Sequence, residues 1–191
     1  MKKIGVLALQ GAFIEHIRCL RKLGVDAFPV RLPQELEGLH GLVIPGGEST
    51  VMAKLMQSYN MTGIIRELVS GGLPVFGTCA GMIFLSKSAS QLNSGMIGAI
   101  DIEVTRNAFG RQIDSFETDI TIPPLGEMPF HAVFIRAPLI TKTGPGVEIL
   151  ARLEEGIGVA ARQGKVLVCA FHPELTDDIR FHRYFLEIIA G

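Results

Sequence analysis

The sequence predicts an α/β fold around a central, mostly parallel β-sheet, and three observations support this prediction. Short apolar runs alternate with helix-like segments through the first half of the chain. The composition is 48% hydrophobic but only 19% charged, which suits strands that are buried on both faces. The 22 glycines suit tight turns between such elements. A length of 191 residues predicts one domain, 1–191, with one hydrophobic core.

The first half of the chain has the pattern of repeated strand–helix units. Lys3–Leu9 is an apolar run typical of a buried strand, after which Phe13, Ile17 and Leu20 recur at helical spacing until Gly24 offers a stop. The elements that follow are, in order, strands at Val25–Leu32 and Gly41–Pro45, helices at Glu48–Tyr59 and Thr62–Ser70, and a strand at Pro74–Thr78. Because strand–helix–strand units cross over to parallel neighbours, these strands should form a parallel sheet.

The second half has short β-like runs separated by turn residues. We expect these runs to add partly antiparallel strands, and a final helix is predicted at Asp178–Ile189. The predicted strands are Ile100–Thr105, Phe116–Ile122, Ala132–Arg136, Glu148–Leu153, Val159–Arg162 and Val166–Phe171. Ligands of such open sheets bind beyond the carboxyl ends of the parallel strands, so chemistry is expected there.

Charge and cysteine usage narrow the function classes. Lys and Arg number 18 against 19 Asp and Glu, so the net charge of −1 gives no basic surface for nucleic acid or an anionic membrane. The three cysteines form no C-x-x-C pair, and their odd number argues against a disulfide framework. We therefore expect a cytoplasmic protein in a reducing compartment.

Two segments imitate membrane signals. Lys2 and Lys3 precede an apolar run as in a signal peptide, but polar residues from Gln10 onward follow at once, without a cleavage site. Residues 68–86 are uncharged and long enough to cross a bilayer, yet they contain several glycines and Pro74, which would break a spanning helix. We therefore predict no membrane segment.

The most informative motif is Gly77-Thr78-Cys79-Ala80-Gly81. It has the Gly-x-nucleophile-x-Gly form of a strand-to-helix elbow, in which a nucleophile sits on a strained turn between glycines. At the N-terminus of the following helix, Cys79 would feel the positive end of the helix dipole, which favours a thiolate. The alternative from this motif alone is a small buried cysteine in the core.

A thiol nucleophile needs a base, and His172-Pro173-Glu174 supplies one at the end of a predicted strand. Pro173 restricts His172 to extended geometry, so His172 and Glu174 can point to the same side. Glu174 would then orient one ring nitrogen of His172 while the other faces Cys79. The alternative is a surface histidine beside a solvated glutamate.

Attack on a carbonyl also needs donors for the oxyanion. The N–H of Ala80 is one candidate, and the glycine loop Pro45–Thr50, which contains Gly47, offers others. Phosphate binding is the alternative for this loop, but the P-loop lysine is missing.

No metal is expected. Cys169 and His172 have a ligand-like spacing, but residues three apart on a strand face opposite sides and no second pair appears. Cys19 and Cys169 are predicted to lie in the core. The histidines other than His172, at positions 16, 40, 131 and 182, show no comparable constellation in the sequence.

Taken together, these residues resemble the triad-type glutamine amidotransferases, and most narrowly the glutaminase subunits of two-component pyridoxal phosphate synthases. The elbow and the H-P-E segment are shared widely in that family, whereas L-A-L-Q-G-A and R-N-A-F-G-R-Q are narrower signatures. The stretches that carry the resemblance are Leu7–Ala12, Glu15–His16, Pro45–Thr50, Gly77–Gly81, Arg106–Gln112, Ser115–Glu117, Phe134–Pro138 and Phe171–Thr176.

The resemblance implies a flavodoxin-like three-layer sandwich and a role for each matching residue. Cys79 would be the nucleophile, His172 the base and acid, and Glu174 its orienter, with Gly47 and Ala80 providing the oxyanion donors. The glutamine site would be lined by Gly47, Glu48, Ser49, Arg106, Ile135 and Arg136. The implied partners are L-glutamine and a barrel-shaped synthase subunit that consumes the ammonia in a hetero-oligomer. No cofactor is implied for this chain.

Two other functions stay open from the sequence. The chain would be a glutaminase subunit serving another pathway if L-A-L-Q-G-A and R-N-A-F-G-R-Q were not specific to pyridoxal phosphate synthases. It would be a non-catalytic binding or thiol module of the same fold if the triad were not assembled. Only the second of these has no need for Cys, His and Glu together.

Overall fold

A ten-stranded sheet lies at the centre of the fold in the computed structural model, which describes residues 1–90, 92, 95–106, 115–154 and 156–191. The strands are β1 (Lys3–Leu7), β2 (Asp26–Val30), β3 (Gly41–Ile44), β4 (Val75–Thr78), β5 (Ser86–Ala89), β6 (Ile100–Thr105), β7 (Ser115–Ile120), β8 (Phe130–Ile135), β9 (Leu139–Thr143), β10 (Glu148–Arg152), β11 (Gly158–Gln163) and β12 (Val166–Cys169). The α-helices are α1 (Phe13–Lys22), α2 (Ser49–Ser58), α3 (Met61–Ser70), α4 (Ala80–Leu85) and α5 (Arg180–Ala190).

Half of the sheet is parallel and has the strand order of a flavodoxin-like fold. β2, β1, β3, β4 and β12 lie side by side in this order, each parallel to its neighbour. Every residue of β3, β4 and β12 is buried, as expected for strands covered on both faces. The predicted α/β class with a mostly parallel sheet flanked by helices is confirmed.

The other half of the sheet is largely antiparallel, as the second half of the sequence predicts. β11 pairs antiparallel with β12, β10 and β9, and β9 pairs antiparallel with β6. β7 and β8 leave this sheet and form a two-stranded antiparallel ribbon. The prediction did not include β5 or β9, because their sequences S-K-S-A and L-I-T-K-T lack a clear apolar alternation.

Helices α1 and α5 cover the face of the sheet that carries Phe76 and Thr78. The Phe76 ring lies 5.4 Å from that of Phe181 and 5.6 Å from that of Phe185, both on α5. The helix α1 lies on the same face, because its His16 ring meets the Phe76 ring edge-on at 6.0 Å. The two helices therefore bury a common space behind the carboxyl ends of the strands.

The opposite face of β4 packs closely against α4. A Cβ on Gly77 would lie 2.6 Å from the backbone of Gly81, and a Cβ on Gly81 would collide with the carbonyl oxygen of Ile44 in β3. Glycine at both positions therefore lets the helix lie directly on the strands that flank the elbow. None of the helices in the described part of the chain is long and apolar enough to span a bilayer.

This packing predicts that Gly81→Ala destabilises the protein, because the added methyl must displace the backbone of β3. We expect the free energy of unfolding to fall by about 2 kcal/mol or more, as in other overpacked sites. Gly63→Ala is the matched control, since a Cβ on Gly63 in α3 meets nothing within 4 Å. That substitution should stabilise the protein by about 0.5–1 kcal/mol. Urea unfolding of both variants is the measurement, and equal midpoints would contradict the packing argument.

Candidate active site

Parallel strands bring the residues singled out in the sequence to one edge of the sheet. β1, β3, β4 and β12 run in the same direction, so their carboxyl ends lie side by side. Gln10 follows β1, Gly46 and Gly47 follow β3, Cys79 follows β4, and His172 follows β12. The site is therefore assembled from loops that are far apart in the chain.

Cys79 occupies a strained turn between β4 and α4. Its backbone has φ 48° and ψ −103°, in the left-handed half of conformational space that residues with a side chain rarely adopt. Its N–H donates to the carbonyl oxygen of Cys169 at 2.8 Å, which joins the turn to β12. The thiol lines the same cavity as the ring of His172, and its Sγ lies 3.7 Å from the carbonyl oxygen of Ile135. The strand-to-helix elbow is thus present as the motif predicts.

His172 and Glu174 form a buried pair. Nδ1 of His172 lies 2.7 Å from Oε1 of Glu174, and their side chains are 9% and 0% exposed. A 3-10 turn at Pro173–Leu175 carries Glu174 back to the ring. The N–H of His172 donates to the carbonyl oxygen of Val133 at 2.8 Å, which anchors the segment to β8. One ring nitrogen of His172 is therefore committed to the carboxylate of Glu174, while the ring lines the same cavity as Cys79.

The electrostatics of this pair favour an imidazolium. Burial by itself lowers the pKa of His172, but the hydrogen bonds and charges of Cys79 and Glu174 outweigh it and raise the pKa to about 10. Burial would raise the pKa of Glu174, yet the neighbouring rings of His16 and His172 bring it below its ordinary value. Glu174 is thus an ionised carboxylate inside the protein, and it stabilises positive charge on His172.

Glycine is required where the loop after β3 approaches the pair. A Cβ on Gly46 would lie 3.2 Å from the Cβ of Cys79 and would collide with Cε1 of His172. The same loop meets the turn after β1, because a Cβ on Gly11, whose φ is +94°, would collide with the carbonyl oxygen of Gly46. The two glycine loops, Cys79 and His172 therefore form one packed unit.

A cavity of about 530 Å³ opens onto Cys79, within the ~300–1,000 Å³ range of small-molecule sites. All the residues predicted for the glutamine site and the oxyanion donors line it: Gly47, Glu48, Ser49, Ala80, Arg106, Ile135 and Arg136. It is also lined by Gln10, Ile83 and Ser115. The sequence predicts no role in the site for Ile83 or Ser115. Ile83 follows the elbow by one helical turn, which is the signal that would have found it.

Glu48 caps the N-terminus of helix α2 beside the cavity. Its carboxylate accepts hydrogen bonds from the N–H groups of Thr50 at 3.0 Å and Val51 at 2.8 Å, which caps α2 and lowers the pKa of Glu48. Its own N–H donates to Oε1 of Gln10 at 2.7 Å. The charge of Arg106 acts on the same carboxylate. The remainder of the R-N-A-F-G-R-Q stretch, residues 107–112, lies outside the described residues.

Two histidines for which the sequence predicts no role in the site lie directly behind Glu174. Nε2 of His16 is 3.3 Å from Oε2 of Glu174, and Nδ1 of His16 is 2.9 Å from Nε2 of His182. Both rings are fully buried. The expectation that neither belongs to a constellation was wrong, because α1 and α5 meet only in the folded chain. The one indication in the sequence was that Glu15-His16 follows L-A-L-Q-G-A among the stretches that carry the family resemblance.

The remaining predicted residues lie away from the chemistry. Cys19 and Cys169 are buried free thiols, so their assignment to the core is confirmed. His131 bridges Glu117 at 2.9 Å and Asp119 at 2.8 Å on the exposed side of the β7–β8 ribbon, and these carboxylates raise its pKa. Across the described ranges, no group of three or more His, Cys, Asp or Glu side chains is arranged to hold a metal ion.

Comparison with known proteins supports a common family. A model of the SNO glutamine amidotransferase family matches residues 6–190. The chain is 55% identical over 188 residues to the pyridoxal 5'-phosphate synthase subunit PdxT of Carboxydothermus hydrogenoformans, covering 98% of both chains. It is 57% identical to the PdxT of Pelotomaculum thermopropionicum, over 97% of this chain and 94% of the relative.

Solved structures show the same fold. A crystal structure of a glutamine amidotransferase superposes with a TM-score of 0.92 at 50% identity, covering 98% of this chain and 99% of that one. The structure of PurLQS from Thermotoga maritima superposes with a TM-score of 0.68 at 14% identity over 97% and 98% of the two chains. The second likeness concerns the fold alone.

Proposed function

The chain belongs to the SNO glutamine amidotransferase family, and on that premise we propose that Cys79, His172 and Glu174 are the catalytic triad with which it hydrolyses L-glutamine. It is the glutaminase subunit of a pyridoxal 5'-phosphate synthase and releases L-glutamate and ammonia. The observation that carries the triad is the 2.7 Å bond from His172 to the buried carboxylate of Glu174, beside a cysteine on a strained turn.

The first half of the proposed reaction makes a thioester. The Cys79 thiolate attacks the side-chain amide carbon of glutamine, and the carbonyl oxygen becomes an oxyanion. The N–H groups of Gly47 and Ala80 would hydrogen-bond that oxyanion; Ala80 is the first residue of α4, where helix N–H groups have no partner within the helix. The carbon–nitrogen bond then breaks, and the imidazolium of His172 gives its proton to the departing ammonia.

The second half of the reaction regenerates the thiol. Neutral His172 removes a proton from water, and the resulting hydroxide attacks the thioester carbon. The carbon–sulfur bond breaks, the thiolate of Cys79 is restored beside the imidazolium, and L-glutamate leaves. Glu174 stays ionised through both halves and holds Nδ1 of His172, so that Nε2 faces the reacting atoms.

The polar groups of the cavity suit the ends of free glutamine. Its α-carboxylate is an anion, and the cavity supplies the guanidinium groups of Arg106 and Arg136. Its α-ammonium is a cation, for which the carboxylate of Glu48 and the polar backbone of Gly47 and Ser49 are available. Ile135 would contact the methylene carbons. We propose these residues as the glutamine site.

We further propose that the chain works docked on a barrel-shaped synthase subunit, which receives the ammonia before water protonates it. The loops at the cavity rim are suited to respond to docking. The carbonyl oxygen of Gly46 accepts from the N–H of Ala12 at 3.3 Å, and Glu48 N–H binds Gln10 at 2.7 Å, so the Gln10-Gly11 and Gly46-Gly47 turns are joined and would move together. Docking would then complete the oxyanion donors.

The setting of the enzyme follows from the same features. We propose the cytoplasm, which is supported by three free thiols in the described chain. Nucleic acid and membranes are not proposed as partners, because the net charge is −1. We treat residues 1–191 as one glutamine amidotransferase domain, supported by one buried hydrophobic cluster that includes residues from β1 to α5.

The first prediction of this proposal concerns the nucleophile. Cys79→Ala should lower glutamine hydrolysis by about 10³-fold or more, since no other thiol reaches the cavity. Cys19→Ala and Cys169→Ala are the controls, and they should retain activity while losing about 1 kcal/mol of stability. Glutamate release by the three variants, each checked for folding by circular dichroism, is the measurement. Activity retained in Cys79→Ala would leave only a non-catalytic thiol or binding module.

The second prediction concerns Glu174. Glu174→Gln should lower kcat roughly tenfold to hundredfold, because an amide stabilises imidazolium less than a carboxylate does. The catalytic form needs the imidazolium, which exists below the pKa of His172 at about 10 and is lost as the pH rises through it. Without the carboxylate this pKa falls, so the alkaline limb of the kcat profile should move to lower pH. Glu67→Gln, on an exposed face of α3, is the control and should match the wild type. A wild-type kcat and pH profile for Glu174→Gln would refute the proposed role of Glu174.

The third prediction concerns the partner. Glutaminase turnover of the isolated chain should be low and should rise about tenfold or more when the synthase subunit is added, because docking completes the oxyanion donors. Steady-state glutamate release with and without that subunit is the measurement, accompanied by calorimetry of binding in the presence of glutamine. Equal turnover in both conditions, or no binding, would leave a stand-alone glutaminase.

A further inference from the structure

The proposed triad accounts for only one oxygen of the Glu174 carboxylate. Oε1 is bound by His172, but Oε2 is buried and makes no hydrogen bond of ordinary geometry with any residue that the structure describes. A buried ionised carboxylate needs donors on both oxygens, or it loses much of the stabilisation that keeps it charged. The group that approaches Oε2 is Nε2 of His16, at 3.3 Å, from the fourth residue of α1.

The surroundings of His16 select one tautomer. Nδ1 of His182 is buried and has no hydrogen-bond partner in the described part of the chain, so it is best left unprotonated, and the proton of that ring lies on Nε2. That N–H points to Nδ1 of His16 at 2.9 Å, which must then be the acceptor. The His16 proton is therefore on Nε2, which lies 3.3 Å from Oε2 of Glu174 and 3.1 Å from Oγ1 of Thr78.

The charge states of the His16 and His182 rings agree with these proton positions. Burial lowers the pKa of His182 to about 3, and burial also lowers the pKa of His16, although Glu174 opposes the shift. Both rings are therefore neutral at neutral pH. The titratable groups that act on His16 and Glu174 from the surrounding elements are Glu15 and Cys19 of α1, Cys169 of β12, His172, and His182 of α5.

We propose that His16 is a positioning residue for the glutaminase reaction: as a neutral donor, itself oriented by His182, it fixes the outer oxygen of Glu174 without neutralising the carboxylate. A lysine or arginine in its place would form an ion pair with Glu174 and compete with His172 for its negative charge. A neutral N–H holds the carboxylate in place and leaves its full charge to stabilise the imidazolium. The inference rests on the proposed role of Glu174 in glutamine hydrolysis.

His16 acts through Glu174 and does not touch the cavity that would hold glutamine. Its loss should therefore change kcat and leave KM nearly unchanged. Ionised Glu174 is lost as the pH falls through its pKa, and removing a donor raises that pKa. The acid limb of the kcat profile should accordingly move to higher pH, in contrast to the alkaline shift expected for Glu174→Gln.

Three variants test this role in the complex with the synthase subunit. His16→Leu keeps the buried volume but removes the donor, and kcat should fall about tenfold with the acid limb shifted upward. His16→Gln places a neutral amide N–H at a similar reach, so kcat should return to within about threefold of wild type. Ile17→Ala removes packing from the same helix without touching Glu174, and its pH profile should match the wild type. A wild-type profile for His16→Leu would overturn the proposal.

A second measurement does not depend on activity. Nitrogen NMR of the ¹⁵N-histidine-labelled wild-type chain reports the tautomer of each of the five histidines. We expect neutral rings protonated on Nε2 for His16 and His182 at pH 7. A doubly protonated His16, or one protonated on Nδ1, would overturn the proposal even if His16→Leu failed to fold. Absence of glutaminase activity in the wild-type complex would instead refute the proposed function, and the tautomers would still be measured.

Discussion

A charged carboxylate in the interior is the constraint around which the site is organised. Glu174 has a side chain with no exposure, so its negative charge is separated from water. The idealised cost of such burial is large, and native proteins tolerate it only when the charge is paired and hydrogen-bonded. His172 supplies the pairing on one side and the His16 ring approaches on the other. The carboxylate can then remain ionised and raise the pKa of His172, which is what a thiolate–imidazolium mechanism requires.

The parallel half of the sheet explains how the parts of the site come together. Parallel strands end at the same edge, so a cysteine after β4, a histidine after β12 and glycine loops after β1 and β3 become neighbours without any local sequence relation. β4 and β12 end together, because Thr78 lies opposite Cys169, and the residue after β4 begins the elbow. The strands β11, β9, β6 and β5 continue the sheet beyond β12. The separate ribbon reaches the site through β8, because the carbonyl oxygen of Val133 accepts the N–H of His172.

The parts of the site that depend on short-range rules were predictable from the sequence. The glycines around Cys79 leave room for the strained turn, and the proline after His172 restricts the backbone of His172, so the elbow and the His172–Glu174 pair follow from a few consecutive residues. The position of His16 was not predictable in this way, because it meets Glu174 across 158 residues of chain, and the packing of α1 against the 3-10 turn at Pro173–Leu175 brings them together. Strands β5 and β9 were missed for a related reason. Their pairing with β6, rather than any alternation of their own, makes them strands.

The hydrogen bonds of the site divide it into a fixed part and an adjustable part, and Thr78 lies at the boundary. Its Oγ1 meets Nε2 of His16 at 3.1 Å and accepts the N–H of Gly46 at 3.1 Å, so the peptide that enters the glycine loop is fastened to the buried network. The next peptide is held less firmly, by the 3.3 Å bond from Ala12 to the carbonyl oxygen of Gly46. Glycine on both sides of that peptide lets it rotate at little steric cost. A partner that pushes on the rim would therefore reorient the Gly46–Gly47 peptide and its N–H while leaving His172 and Glu174 in place. On the proposed function, the rate of glutamine hydrolysis can then depend on docking, although the bond between His172 and Glu174 is already formed.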